Sequence, residues 1–234
     1  VAHTEGHRRL GHYAESLVHF LAQNDPAISL LAFNQQVQKA GVTVGEIDFI
    51  WRMDEVCTHI ELATKFYLLL PDARNLYHAV GANCRDSLGC KWAQMCDHQL
   101  RLHTHTPDYA VDKAYAWICG WLFTHAQHNN TLAAINPFAP RGTWGTWDDW
   151  LGYAATDEVW YSPPRLYWLS PAWLASRPAD WQSEYPLWQA QARATLLVKL
   201  HAGNAGWQIN PFTWVDRGNR RCLPRPRPRH AAQP

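Results

Sequence analysis

The chain has no CxxC pair among its six cysteines, so neither a zinc ribbon nor a redox dithiol is signalled. It contains no GxxxxGK[ST] and no GxGxxG, which leaves a nucleotide-phosphate loop unsupported, and no HExxH zinc helix. No nucleophile elbow is present, so a Ser/His/Asp triad has no basis. No apolar run reaches the roughly 18–20 residues that a bilayer span needs. The polar start, Val1 to Leu10, holds no signal peptide. Excess charge is also missing: the formal net charge is +1, so any nucleic-acid binding has to rest on a local patch. No repeat of fixed period is visible.

The composition, 47% hydrophobic and 18% charged over 234 residues, is that of an ordinary globular chain. The expectation is a cytoplasmic protein without a membrane segment, with Cys57, Cys84, Cys90, Cys96, Cys119 and Cys222 as reduced, mostly buried thiols. The first residue is valine rather than methionine, as in a chain with a non-standard start or without an N-terminal piece.

Periodicity predicts a helix from about Thr4 to Asn24, with Leu10, Tyr13, Leu17, Phe20 and Leu21 on one stripe. Strands follow at Leu30–Val37, Thr43–Trp51 and Val56–Leu68, then a helix at Asp86–Leu102 and a strand at Tyr115–Thr124. That order places one mixed sheet in an α/β domain over residues 1–136. Beyond Asn136, proline and glycine become frequent, and ten of the fourteen tryptophans lie from Trp144 onward. Residues 137–216 read as a tryptophan-rich extension packed on the core, with one helix at Leu187–His201. Residues 217–234, with their alternating prolines and arginines, are expected to be a disordered tail.

The chemistry concentrates in one hairpin. A symmetric turn at Asp54-Glu55 sets Asp48 opposite Glu61, Glu46 opposite Ala63 and Val44 opposite Lys65. Phe49 then meets Ile60 and Ile47 meets Leu62 on the apolar face. Opposed Cβ atoms lie about 4.5–5.5 Å apart, so Asp48 and Glu61 repel each other unless a divalent cation lies between them. A lysine beyond them, Lys65, can hold an attacking water or a developing phosphate charge. The competing reading is a solvated polar face.

In the second helix Leu88, Trp92, Met95, Gln99 and Leu102 share a stripe. Gln99 on that core-facing line either faces a site or bonds a buried backbone group. Lys91 and His98 flank the stripe within reach of a phosphate, and each is otherwise a surface residue. Glu15 lies well round from Leu17, and periodicity alone makes it solvated. His103 and His105 form a weak metal pair in an expected loop.

The strings Arg9-Leu10-Gly11-His12-Tyr13-Ala14-Glu15, Gly45-Glu46-Ile47-Asp48-Phe49, Glu61-Leu62-Ala63-Thr64-Lys65-Phe66-Tyr67-Leu68 and Asp97-His98-Gln99-Leu100-Arg101-Leu102 carry a resemblance. Together with Pro163 to Pro171 they resemble bacterial domain-of-unknown-function family 1853, over roughly Arg9 to Pro171. That family is similar to the PD-(D/E)xK nuclease superfamily, whose restriction-endonuclease-like core has the order αβββαβ.

The resemblance implies a metal-dependent DNA nuclease using Mg²⁺ or Mn²⁺. Asp48, Glu61 and the helix carboxylate Glu15 would be metal ligands. Lys65 would position water, and Gln99 would match the helix glutamine of the RecB-like branch. The superfamily spaces its acid and lysine two residues apart. Glu61 and Lys65 are four apart, which stretches the strand distance to about 13 Å from about 7 Å. That departure motivates a first rival, a binding module for nucleic acid that keeps the fold without the reaction. The neutral charge and the later tryptophans motivate a second, a protein-interaction scaffold.

Overall fold

A computed structural model of the chain describes residues 9–82, 85–128, 130–154, 159–162, 168–169, 195–203 and 206–215. The chain divides into two compact units. The first comprises Val1–Lys65, Cys90–Trp121 and Pro163–Ser176; the second comprises Phe66–Gly89, Leu122–Ser162 and Arg177–Pro234. The whole is a mixed α/β protein with an open mixed sheet.

In the first unit, α1 (Leu10–Asn24) is followed by β1 (Ser29–Lys39), β2 (Val42–Met53) and the start of β3 (Val56–Leu69). Both hairpin turns are two residues long and use left-handed backbone, with positive φ at Ala40 and Gly41 and at Asp54 and Glu55. Such a turn fixes the register, and β2 pairs with β3 antiparallel from Met53↔Val56 to Phe49↔Ile60, as the symmetric hairpin predicts. β3 is buried on both faces between β2 and β5 (Lys113–His125), the central position its length and apolarity suggested.

The chain contacts between β3 and β5 set their direction. The Asp112 carboxylate accepts the Cys57 backbone N–H at 2.8 Å, an offset of 55 residues. Gly120 lies at the same offset against the Lys65 carbonyl, so the two strands run parallel. That approach demands glycine: φ is +137°, and a Cβ there would sit 1.7 Å from the Lys65 oxygen.

Three features of the first unit differ from the periodicity. The buried line of α1 runs through Leu10, Ala14 and Ala22 with Val18 packed beside them, whereas Phe20 and Leu21 are exposed. Small residues let the helix approach Phe49, Ile60 and Leu62 closely, which outweighs the larger apolar stripe. On β2 the alternation breaks at Asp48, since Ile47 packs with Ile50, Cys57 and Leu102 rather than with Phe49. The helix expected over Asp86–Leu102 is α2 (Leu88–Asp97) followed by a 3-10 helix over Gln99–His105. His98 leaves helical geometry at φ −130°, ψ −65°, and the rotation seats Leu102 against Gly45. Trp92, expected in the core, is exposed, and Met95 is buried.

In the second unit, β4 (Ala79–Gly81) pairs antiparallel with the end of β3, and a 3-10 turn at Leu76–His78 leads into it. The end of β5 pairs in parallel with β6 (Arg141–Gly145), and β6 in parallel with β9 (Gly206–Val215). Antiparallel pairs then join β9 to β8 (Thr195–Gly203) and β8 to β7 (Val159–Tyr161).

β8 corrects the expected helix at Leu187–His201 over its second half; residues 187–194 lie outside the described residues. Leu196 and Leu197 are consecutive and both buried, which a strand covered on two faces permits. Trp147, Trp150 and Trp160 pack with Leu197 in a cluster within the second unit. The short α3 (Trp147–Tyr153) was not predicted, although its capping box of Thr146 and Asp149 is present in the sequence. The tail expected to be disordered lies outside the described residues, as does residue 216. Cys57 is buried, Cys96 and Cys119 are half-buried and Cys90 is exposed, so the thiols are less buried than expected. Among the described residues no helix is long and apolar enough to cross a membrane.

Candidate functional site

The hairpin turn places Asp48 one step beyond the last regular β2–β3 pair. There its Oδ2 accepts the Leu62 backbone N–H at 2.7 Å, so the side chain takes over a ladder hydrogen bond. The aspartate is thereby held against the stretch of β3 that carries Glu61, whose side chain is fully buried.

Glu61 is gripped from both sides. His59 Nε2 lies 2.7 Å from Oε1, and Gln99 Nε2 donates to Oε2 at 2.8 Å. Gln99 Oε1 accepts in turn from Lys91 Nζ at 2.7 Å. The two amide bonds orient Gln99 without ambiguity, its oxygen toward the cation and its nitrogen toward the carboxylate. Gln99 thus faces a site, and its polar position on an otherwise apolar stripe has a structural cause.

Behind Glu61, His59 Nδ1 lies 3.2 Å from His103 Nδ1. With Glu61 as a carboxylate, His59 donates from Nε2, and its Nδ1 accepts from His103. Burial first, then the neighbouring His59, pushes His103 below its ordinary value. His103, half of the weak His103–His105 pair, makes this contact with His59.

Electrostatics couples the carboxylates. Burial, with Glu61 next, raises the Asp48 carboxyl to about 7; the Leu62 N–H pulls it down, Glu15 raises it further and Lys91 lowers it. Glu15 therefore acts on the site, although periodicity made it solvated. The reason is the shift of the α1 buried line to Ala14 and Val18, which turns the neighbouring Glu15 inward to 21% side-chain exposure.

The predicted residues Glu15, Asp48, Glu61 and Gln99 converge by contact or charge. Lys65 is half-buried on β3 beside Gly120, and Lys91 lies close enough to Asp48 to lower its carboxyl slightly. Glu46, expected on the same acidic face, is exposed. His59 was overlooked, although it stands two residues before Glu61 and therefore shares its face.

The donor set can be tested against a divalent cation. Asp48 and Glu61 offer hard anionic oxygens whose closeness is unfavourable without a counter-charge. Among the described residues no group of three or more His, Cys, Asp or Glu is gathered to hold a metal ion. Mg²⁺ does not need such a cage, since it commonly takes one or two carboxylates and completes its shell with water and phosphate. The donors fit an ion of that kind.

Fold and site together define a mixed α/β protein with a half-buried aspartate, Asp48, beside a fully buried, hydrogen-bonded glutamate, Glu61. Its sequence matches, over residues 1–211, the family described as Domain of unknown function (DUF1853), and the chain belongs to that family. No curated protein and no solved structure matches it.

Proposed function

We propose that this chain is a metal-dependent DNA nuclease with a restriction-endonuclease-like core of the PD-(D/E)xK kind. The observation that carries the reading is the pair Asp48 and Glu61, with Asp48 bonded to the β3 backbone beside Glu61 and raised to about 7 by burial and by Glu61. The element order α1-β1-β2-β3-β4-α2-β5, which is αβββαβ apart from the three-residue β4, supports it, with β5 parallel to β3. Asp48 and Glu61 hold the ion, Mg²⁺ or Mn²⁺, with Glu15 contributing charge. When bound, the ion polarises a phosphodiester and lowers the pKa of water. Gln99 and His59 keep the Glu61 carboxylate in one orientation, which limits the reorganisation required on binding. The reading carries a cytoplasmic location with it.

Calorimetric titration of Mg²⁺ or Mn²⁺ into the intact protein tests the ion site. Binding that disappears in Asp48→Ala is expected; no binding to the folded wild type contradicts the reading. A second reading, a nucleic-acid-binding module without catalysis, draws on the engagement of both Glu61 oxygens by His59 and Gln99. It predicts DNA binding that Asp48→Ala leaves intact and no cleavage.

A further inference from the structure

The sequence singles out Lys65 as the lysine of the site, but its spacing from Glu61 does not suit that task. We propose that Lys91 is the cation that contacts the substrate phosphate at the Asp48–Glu61 pair. The proposal rests on the reading of this site as one for nucleic-acid phosphate.

Two observations carry it. The Lys91 ammonium is fixed by its 2.7 Å bond to Gln99 Oε1, and Gln99 is fixed in turn by its 2.8 Å bond to Glu61 Oε2. One side chain therefore separates the cation from the buried carboxylate, and both bonds hold it there. Second, Lys65 stands four residues along an extended strand from Glu61, about 13 Å at ordinary rise. Its backbone lies where Gly120 of β5 makes its closest approach, so its position in the fold is that of a strand junction.

An ammonium is a compact point charge with three donors. Bonding Gln99 occupies one of them and aims the group without neutralising it. A phosphodiester bridging toward Asp48 and Glu61 brings its non-bridging oxygens into the field of Lys91. That charge offsets the repulsion between phosphate and the two carboxylates on binding, and it stabilises the negative charge that grows on the phosphoryl oxygens during attack by water. Gln99 is a positioning residue in this scheme: it acts through Lys91 and Glu61.

The test compares wild type, Lys91→Ala, Lys91→Arg, Lys65→Ala, Asp48→Ala and a surface control, Lys113→Ala. Each is checked for folding by circular dichroism. Two readouts are taken: cleavage of DNA with Mg²⁺, and affinity for a fluorescent DNA oligonucleotide in EDTA across a salt series.

Lys91→Ala is expected to cut cleavage by about 100-fold or more. It is also expected to weaken oligonucleotide binding and to reduce the salt slope by about one. Lys91→Arg keeps the charge and restores binding more than cleavage, while Lys113→Ala matches wild type. Cleavage that survives Lys91→Ala at the wild-type rate, or binding with an unchanged salt slope in that variant, overturns the proposal. So does cleavage abolished by Lys65→Ala alone. If wild type binds the oligonucleotide but shows no cleavage that depends on Asp48, the nuclease reading fails, and the binding arm still decides the role of Lys91.

Discussion

Asp48 Oδ2 accepts the Leu62 backbone N–H at 2.7 Å, so the β2–β3 ladder gives way to a side-chain bond where the acidic pair begins. The bond sets the carboxylate beside Glu61 at the cost of keeping a partly buried acid near another acid. This arrangement leads to the first prediction.

Asp48 is raised to about 7 from an ordinary 3.8, chiefly by burial and then by Glu61. A carboxyl with a raised folded-state pKa contributes stability that is full below its unfolded value and is lost as pH rises through its folded value. Stability of the ion-free protein should therefore fall between about pH 4 and pH 7. Asp48→Asn keeps an oxygen for the Leu62 N–H but cannot ionise, so it should flatten that fall. Urea denaturation across this pH range, for both proteins, checks the difference.

His59→Ala removes a donor from the buried Glu61 carboxylate. An unsatisfied buried acceptor costs about 1–3 kcal/mol, and the vacated volume adds to it. The expected loss is at least about 2 kcal/mol in urea denaturation. His103→Ala, which removes only the outer ring, should cost less.

Gly120→Ala places a Cβ 1.7 Å from the Lys65 carbonyl oxygen at a φ of +137°. Neither the backbone oxygen nor the dihedral can yield without parting β3 from β5. A loss above about 2 kcal/mol is expected, with a lowered midpoint in thermal unfolding. Gly152→Ala, with nothing within 4 Å of its added Cβ, provides the comparison.

Thr146→Ala breaks the capping box at α3, where Thr146 Oγ1 accepts from the Asp149 N–H and the Asp149 carboxylate accepts from the Thr146 N–H. The expected cost is about 1 kcal/mol. The Thr146 backbone bond first, and its hydroxyl next, hold Asp149 below its ordinary value. A depressed acid contributes stability that is present above its unfolded value and is lost as pH falls through its folded value. The gap between wild type and variant should therefore close at acidic pH.

The hairpin is legible because a two-residue turn and a period of two leave one register, which pairs Phe49 with Ile60; beyond that pair the alternation breaks, and a side-chain bond rather than the ladder ties Asp48 to the strand of Glu61. Gln99 was legible as a polar residue on an apolar line, and Leu102, three residues on, does pack in the core. Glu15 was misjudged because the α1 stripe was read from its largest residues, whereas packing against the sheet selected Ala14 and Ala22. His59 and Lys91 were harder to see, for each gains its role from a partner far along the chain: His103 in one case, Gln99 and Glu61 in the other. The strand β8 was mistaken for a helix because a leucine-rich run fits both periods, and only its pairing with β7 and β9 decides between them.

The central claim is that the Asp48–Glu61 pair hydrolyses DNA with a divalent ion. It is tested most directly by incubating linear, circular and single-stranded DNA with wild type, Asp48→Ala and Glu61→Ala in Mg²⁺ or Mn²⁺. Cleavage by wild type that is lost in both folded variants is the predicted result. Cleavage that persists in both variants, or none by wild type on any substrate, would contradict it.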